Sequence, residues 1–216
     1  MRTHFAVAIA LVAGGLCVTA VPRAISAQRP WAQDRGFTIG LQYQTDVIGA
    51  EDPAPGGDPD AVFIEEVGHG LSLNLGYTIT PMFALRLAMG SAIHGTNWEG
   101  VEITRGSAMI EAHVRFLSQE RARPYLVGGL GGTSLIDDRK GYDVETSGGV
   151  ALLGAGVLFN LTEHFVLDFS TRLEMINWNK IKIRKELPGG TEIELESPVD
   201  ENGSAATFRL GFDLQF

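Results

Sequence analysis

Thiol chemistry is all but missing from this sequence. Of 216 residues one is cysteine, Cys17, and it lies inside an uncharged run from Phe5 to Val21 near the N-terminus. That run follows Arg2 and leads into Pro22-Arg23-Ala24-Ile25-Ser26-Ala27, the layout of a secretory signal cleaved after Ala27. Gly14-Gly15-Leu16 ahead of the cysteine is a poor lipoprotein signal, so the mature chain is expected to carry no thiol, disulfide or cysteine metal site. Beyond the leader no apolar run approaches the about 20 residues of a spanning helix. Basic charge is also scarce. Loss of residues 1–27 removes Arg2 and Arg23 but no acid, so 17 basic residues become 15 against 26 acidic, and the net charge moves from -9 to -11. A chain this acidic is not expected to bind nucleic acid.

What the sequence has instead is period-two alternation, the signature of strands with one apolar face. Phe208, Leu210, Phe212, Leu214 and Phe216 alternate with Thr207, Arg209, Gly211, Asp213 and Gln215 at the C-terminus. Similar stretches are Phe37–Tyr43, Leu71–Ile79, Phe83–Met89, Ala108–Phe116, Ala151–Phe159 and Phe165–Leu173. A glycine-rich one, PYLVGGLGGTSL from Pro124, is ambiguous in its facing. That makes eight, each close to the about 9–11 residues a tilted strand needs to cross a bilayer.

The connections alternate in length. Thr80-Pro81-Met82, LSQERARP and Asn160–His164 are short, whereas Thr45–Glu66, His94–Glu102, Ile136–Thr146 and Met175–Gly203 are long. Short periplasmic turns and long external loops are the habit of outer-membrane barrels. Tyr43, Tyr77, Phe83, Phe116, Tyr125, Phe159, Phe165 and Phe216 sit near strand ends, as an interfacial aromatic girdle would. The fold expected is all-β, an eight-stranded antiparallel up-and-down transmembrane β-barrel. It would occupy residues 35–216 after a signal peptide at 1–27 and a periplasmic segment at 28–34.

The pattern resembles the small eight-stranded outer-membrane barrels of Gram-negative bacteria, the OmpA transmembrane-domain and OmpX-like class. That resemblance implies an outer-membrane location amid lipid and lipopolysaccharide, and contact with the barrel-assembly machinery during biogenesis. It makes Phe208, Leu210, Phe212, Leu214 and Phe216 an assembly signal, the alternative being that Phe216 is only the last girdle residue. OmpX-like barrels also carry a protruding sheet linked to adhesion.

With the apolar faces turned to lipid, the inward set contains Arg86, Glu111, His113, Arg115, Asp168, Arg172, Glu174, Arg209 and Asp213. An eight-stranded interior is only wide enough for side chains to fill it, so these charges are expected to pair and plug the lumen. KIKIRKELPGGTEIELES sets a basic arm against an acidic one about a Pro-Gly-Gly turn, so that Lys182 meets Glu196 and Arg184 meets Glu194 in an extended hairpin. The first long loop is acidic, with Asp46, Glu51, Asp52, Asp58, Asp60, Glu65 and Glu66, but lacks the order of a calcium loop and reads as a solvated segment.

His94, Thr96 and Asn97, with Glu102, faintly resemble the histidine and hydroxyl stretch of outer-membrane lipid A deacylases; threonine stands where serine is needed. The functional expectation is a structural or surface-interaction role through the external loops, in a monomer with no cofactor, no metal site and no catalysis. The external partner is left open. Rival readings are a narrow pore or carrier of small molecules and an envelope lipid esterase.

Overall fold

Period-two alternation forces each stretch to present its apolar side chains to one environment and its polar ones to another, which fixes both the strands and their register. The computed structural model describes residues 36–49, 64–96, 101–116, 121–139, 142–187 and 191–216. The strands are β1 Gly36–Ile48, β2 Ile64–Thr80, β3 Phe83–Thr96, β4 Glu102–Arg115, β5 Ala122–Arg139, β6 Tyr142–Asn160, β7 Phe165–Leu187 and β8 Thr191–Gln215. All neighbours pair antiparallel in chain order, and β1 pairs with β8 from Thr38↔Gln215 to Ile48↔Ala205, so the ring closes. Closure satisfies the backbone polar groups where there is no water to do so. The signal peptide and the 28–34 segment expected from the sequence lie outside the described residues.

The faces are inverted relative to a soluble barrel. Leu41, Leu73, Leu87, Ile110, Leu130, Leu153, Leu173 and Leu210, one from each strand, point outward and are at least 40% exposed. Gln42, Asn74, Arg86, Glu111, Arg172 and Asp213 point inward and are buried. An apolar belt around the whole circumference would be an aggregation surface in water; hydrocarbon is the cover it requires.

Two expectations are corrected. The strands run from 13 residues in β1 to 25 in β8, each longer than the about 9–11 residues that cross a bilayer and the last about twice that length. Much of the sequence expected as long loops is therefore ladder: β5 continues to Arg139, β6 begins at Tyr142, and β7 and β8 reach Leu187 and Thr191. The alternation persists there with charged residues in place of apolar ones, and antiparallel pairing needs no lipid to propagate.

The sheet changes character at one height. Register shifts fall between Ser147 and Gly148 in the β6–β7 ladder and between Trp178 and Lys180 in the β7–β8 ladder. Such irregularities bend a sheet and sharpen its twist. Trp178 is buried just below them, and a Cβ on Gly203 would stand 2.7 Å from its indole Nε1, so a glycine there lets the ring lie against β8. Ile48, Val150, Ile176 and Ala205 join Trp178 in an apolar cluster.

Candidate functional site

The inward polar side chains lie in tiers along the lumen. Arg86 on β3 forks across it, Nη1 donating to Asp168 Oδ2 at 2.9 Å and Nη2 to Asp213 Oδ2 at 2.6 Å. Asp168 also accepts from Gln42 Nε2 at 3.0 Å and from the Tyr125 hydroxyl at 2.8 Å. The next tier centres on Glu111, which accepts from Arg172 Nη2 at 3.0 Å, lies 2.9 Å from His113 Nε2, and faces Arg209 Nη1 at 3.6 Å. The His113 ring stacks on Tyr125 with centroids 4.7 Å apart. In the tier nearest the long-strand end, Arg105 donates to Asp46 at 3.1 Å and to Glu174, and the Thr207 hydroxyl donates to Glu174 Oε1 at 3.0 Å. These side chains are at most 2% exposed, so each guanidinium meets a carboxylate without competing solvent.

Eight of the nine lumen residues expected from the sequence make these contacts. The ninth, Arg115, does not join an ion pair among the described residues; its Nη1 donates to Thr78 Oγ1 at 3.1 Å. It sits at the last position of β4, below the aspartates that Arg86 engages.

Sequence reasoning places four participants elsewhere or passes over them. Asp46 falls in the acidic loop by sequence, yet it lies on β1 with its side chain in the lumen, because β1 runs on to Ile48. Tyr125 is expected in the girdle, but it is 2% exposed and points inward, its ring seated over Gly156 across the β5–β6 ladder. Arg105 and Arg123 escape the pattern, one beyond the alternation read for β4 and the other inside a stretch read as a turn. Glycines opposite Tyr125 and Trp178 are the available signal. Of the remaining first-loop acids, residues 51, 52, 58 and 60 lie outside the described residues.

Above the register shifts the β7–β8 hairpin has the register read from the sequence, Lys182↔Glu196 and Arg184↔Glu194. Lys180 Nζ stands 2.8 Å from Glu196, Lys182 Nζ 3.3 Å from Glu194, and Arg184 Nε 3.4 Å from Glu194. The hydrogen bond to Glu196 raises the Lys180 ammonium above its ordinary value, and the one from Lys182 lowers the Glu194 carboxyl. Ile183 and Leu195 pair on the opposite face of this sheet and are 39% and 64% exposed. Over residues 191–203, β8 pairs only with β7 among the described residues, because β1 ends at Ile48 opposite Ala205. The turn at 188–190 lies outside the described residues.

The described members of the esterase set divide between two faces of the sheet. His94 is buried on the inner face and the Thr96 hydroxyl donates to the Val101 carbonyl at 2.8 Å, while Glu102 is exposed on the outer face of β4. Asn97 lies outside the described residues. At the C-terminus Phe208, Leu210, Phe212, Leu214 and Phe216 are 44% to 63% exposed on the lipid-facing side.

A closed ring of eight strands with an apolar exterior and an ion-paired interior defines an outer-membrane β-barrel. The chain belongs to the family of the outer membrane protein beta-barrel domain, whose profile matches residues 8–216, and its place is the outer membrane of a Gram-negative bacterium. Among solved structures it is similar to Neisserial surface protein A, at 17% identity and a TM-score of 0.56, over 83% of this chain and 97% of that one. A major outer membrane protein from Thermus thermophilus superposes with a TM-score of 0.60 at 10% identity, over 83% and 99%. Ail, the attachment invasion locus protein of Yersinia pestis, does so with a TM-score of 0.53 at 14% identity, over 85% and 100%. These likenesses show the fold. No curated protein matches the sequence.

Proposed function

We propose that this barrel is a surface-interaction protein, closed as a channel, that engages an external partner through the sheet raised by β7 and β8. The observation that carries the reading is the edge of β8 over residues 191–203, which among the described residues leaves alternate N–H and C=O groups without a neighbouring strand. An edge of this length without a neighbouring strand among the described residues invites strand addition, in which main-chain bonds give affinity and side-chain pockets give selectivity. Ile183 and Leu195 on one face, and the Lys180, Lys182, Arg184, Glu194 and Glu196 charges on the other, offer an extended partner an apolar side and an ionic side. Similarity to Ail, an attachment protein by its own name, is in keeping with this reading.

The lumen supports the closed half of the proposal. A pore or carrier needs an unobstructed path, whereas Arg86, Arg105 and Arg172 each cross the interior to a carboxylate on another strand.

The test replaces residues 180–198 by a short Gly-Ser turn and compares attachment of expressing bacteria to epithelial monolayers. Attachment by the wild type, and its loss in a shortened barrel that still inserts, is the expected result; equal attachment by both would overturn the proposal.

A further inference from the structure

We infer that the short-turn end of the lumen is a binding site for a small oxyanion of the phosphate class. Arg115, which closes β4, and Arg123, near the start of β5, point into that end from adjacent strands and are each 1% exposed. Their side-chain partners among the described residues are neutral. Arg115 Nη1 donates to Thr78 Oγ1 at 3.1 Å, and Arg123 Nη2 donates to Asn160 Oδ1 at 2.6 Å. No protein group among the described residues accepts from Arg115 Nε or Nη2 or from Arg123 Nε. Gln215 Nε2, buried at the same end on β8, likewise meets no protein acceptor among them.

The contrast with the rest of the lumen is sharp. It is one of charge and not of unused donors: Arg86, Arg105 and Arg172 each donate to a carboxylate and Arg209 Nη1 stands 3.6 Å from Glu111, although Nε of Arg86, Arg172 and Arg209 also lacks an acceptor among the described residues. The nearest lumen carboxylates in the tier above, Asp168 and Asp213, both already pair with Arg86. Asp168 accepts from Arg86, Gln42 and Tyr125, while Asp213 accepts from Arg86 through Oδ2 and its Oδ1, turned toward Gly40, meets no donor among the described residues. Two buried like charges without a directly paired carboxylate among the described residues repel each other and lack compensation for lost hydration. An anion between them supplies the missing charge and accepts the unused donors.

Oxyanion chemistry fits better than a simple halide. The planar guanidinium fork matches two oxygens of a phosphate, and the Gln215 amide adds a neutral donor. The short turns of such barrels face the periplasm, so the ligand would be one available on that side.

The experiment titrates inorganic phosphate into the full-length mature protein in detergent micelles, following the phosphorus NMR linewidth and the thermal midpoint of the folded gel band. Sodium chloride at matched ionic strength is the reference. Wild type is expected to broaden the phosphate line saturably and to gain a higher midpoint in phosphate than in chloride. Arg123→Gln and Arg115→Gln are each expected to weaken apparent affinity by about tenfold or more, the usual consequence of losing a charged hydrogen bond. Should neither variant fold, Gln215→Met takes their place and is expected to weaken the response. An unbroadened line with wild type, an equal effect of chloride, or an undiminished response in the folded variants would overturn the site.

Discussion

Arg86 Nη2 lies 2.6 Å from Asp213 Oδ2, tying β3 to β8 through the middle of the barrel, while Nη1 of the same guanidinium holds Asp168 on β7. One side chain thus neutralises two acids from strands that it does not pair with in the sheet. Arg86→Ala would leave both carboxylates buried beside Tyr125 and Gln42 with no counter-ion. The expected cost is about 3–5 kcal/mol in urea unfolding from lipid bilayers. Adding Asp213→Asn, which removes one stranded charge, should recover part of the loss. Unchanged stability of the single variant would show that the pairing does not hold the strands.

Gly156 makes a second, purely steric prediction. A Cβ at that position would stand 2.5 Å from Tyr125 Cζ and 2.6 Å from the Phe169 carbonyl oxygen. Gly156→Val must push the ring off its seat and strain its hydrogen bond to Asp168, with an expected cost of about 1–3 kcal/mol. At Gly128 the nearest atom to a Cβ is Leu153 Cδ2 at 3.6 Å, an ordinary contact, so Gly128→Ala should be close to neutral. The pair is compared by the temperature at which the folded band disappears on unboiled gels.

Seven of the eight strands are legible because lipid demands an apolar side chain at every second position, as Leu71, Leu73 and Leu75 supply on β2. The facing of β5 is not, because Gly128, Gly129, Gly131 and Gly132 put no side chain on either face and leave the alternation blank. Arg123 is lost with it. Strand length reads short for a different reason: the membrane sets only the apolar part of a strand, whereas the ladder continues as long as backbone partners exist. Arg105 and Asp46 fall outside the alternation on that account, although they pair with each other at 3.1 Å. The β7–β8 pairing is legible down to its register because opposite charges are spaced symmetrically about Pro188-Gly189-Gly190 in the sequence.

Acid should loosen the protruding sheet before it affects the barrel. Glu194 is lowered by its hydrogen bond to Lys182, so its contribution is present above the ordinary glutamate range and is lost as pH falls through the depressed value. Carbon NMR of labelled side chains should find Glu194 titrating below an unpaired glutamate, and high salt should move it back because the pair is exposed. An ordinary titration at low salt would show that the arms do not pair in solution.

Phe216 separates an assembly signal from a girdle residue. It is 63% exposed, and its N–H donates to the Phe37 carbonyl at 2.9 Å at the β1–β8 seam. If the terminal aromatic is read during biogenesis, deleting Phe216 should lower the membrane-inserted fraction far more than Phe83→Ala, which removes another aromatic near the same end. Equal losses on fractionated envelopes would make it a girdle residue only.

Single-channel recording in planar bilayers tests the closed lumen most directly. With Arg86, Glu111, Arg172 and Arg105 crossing the interior in successive tiers, the unmodified protein is expected to show no steady conductance at moderate voltage. A large, stable conductance from the wild type would contradict the plug and make the barrel a pore.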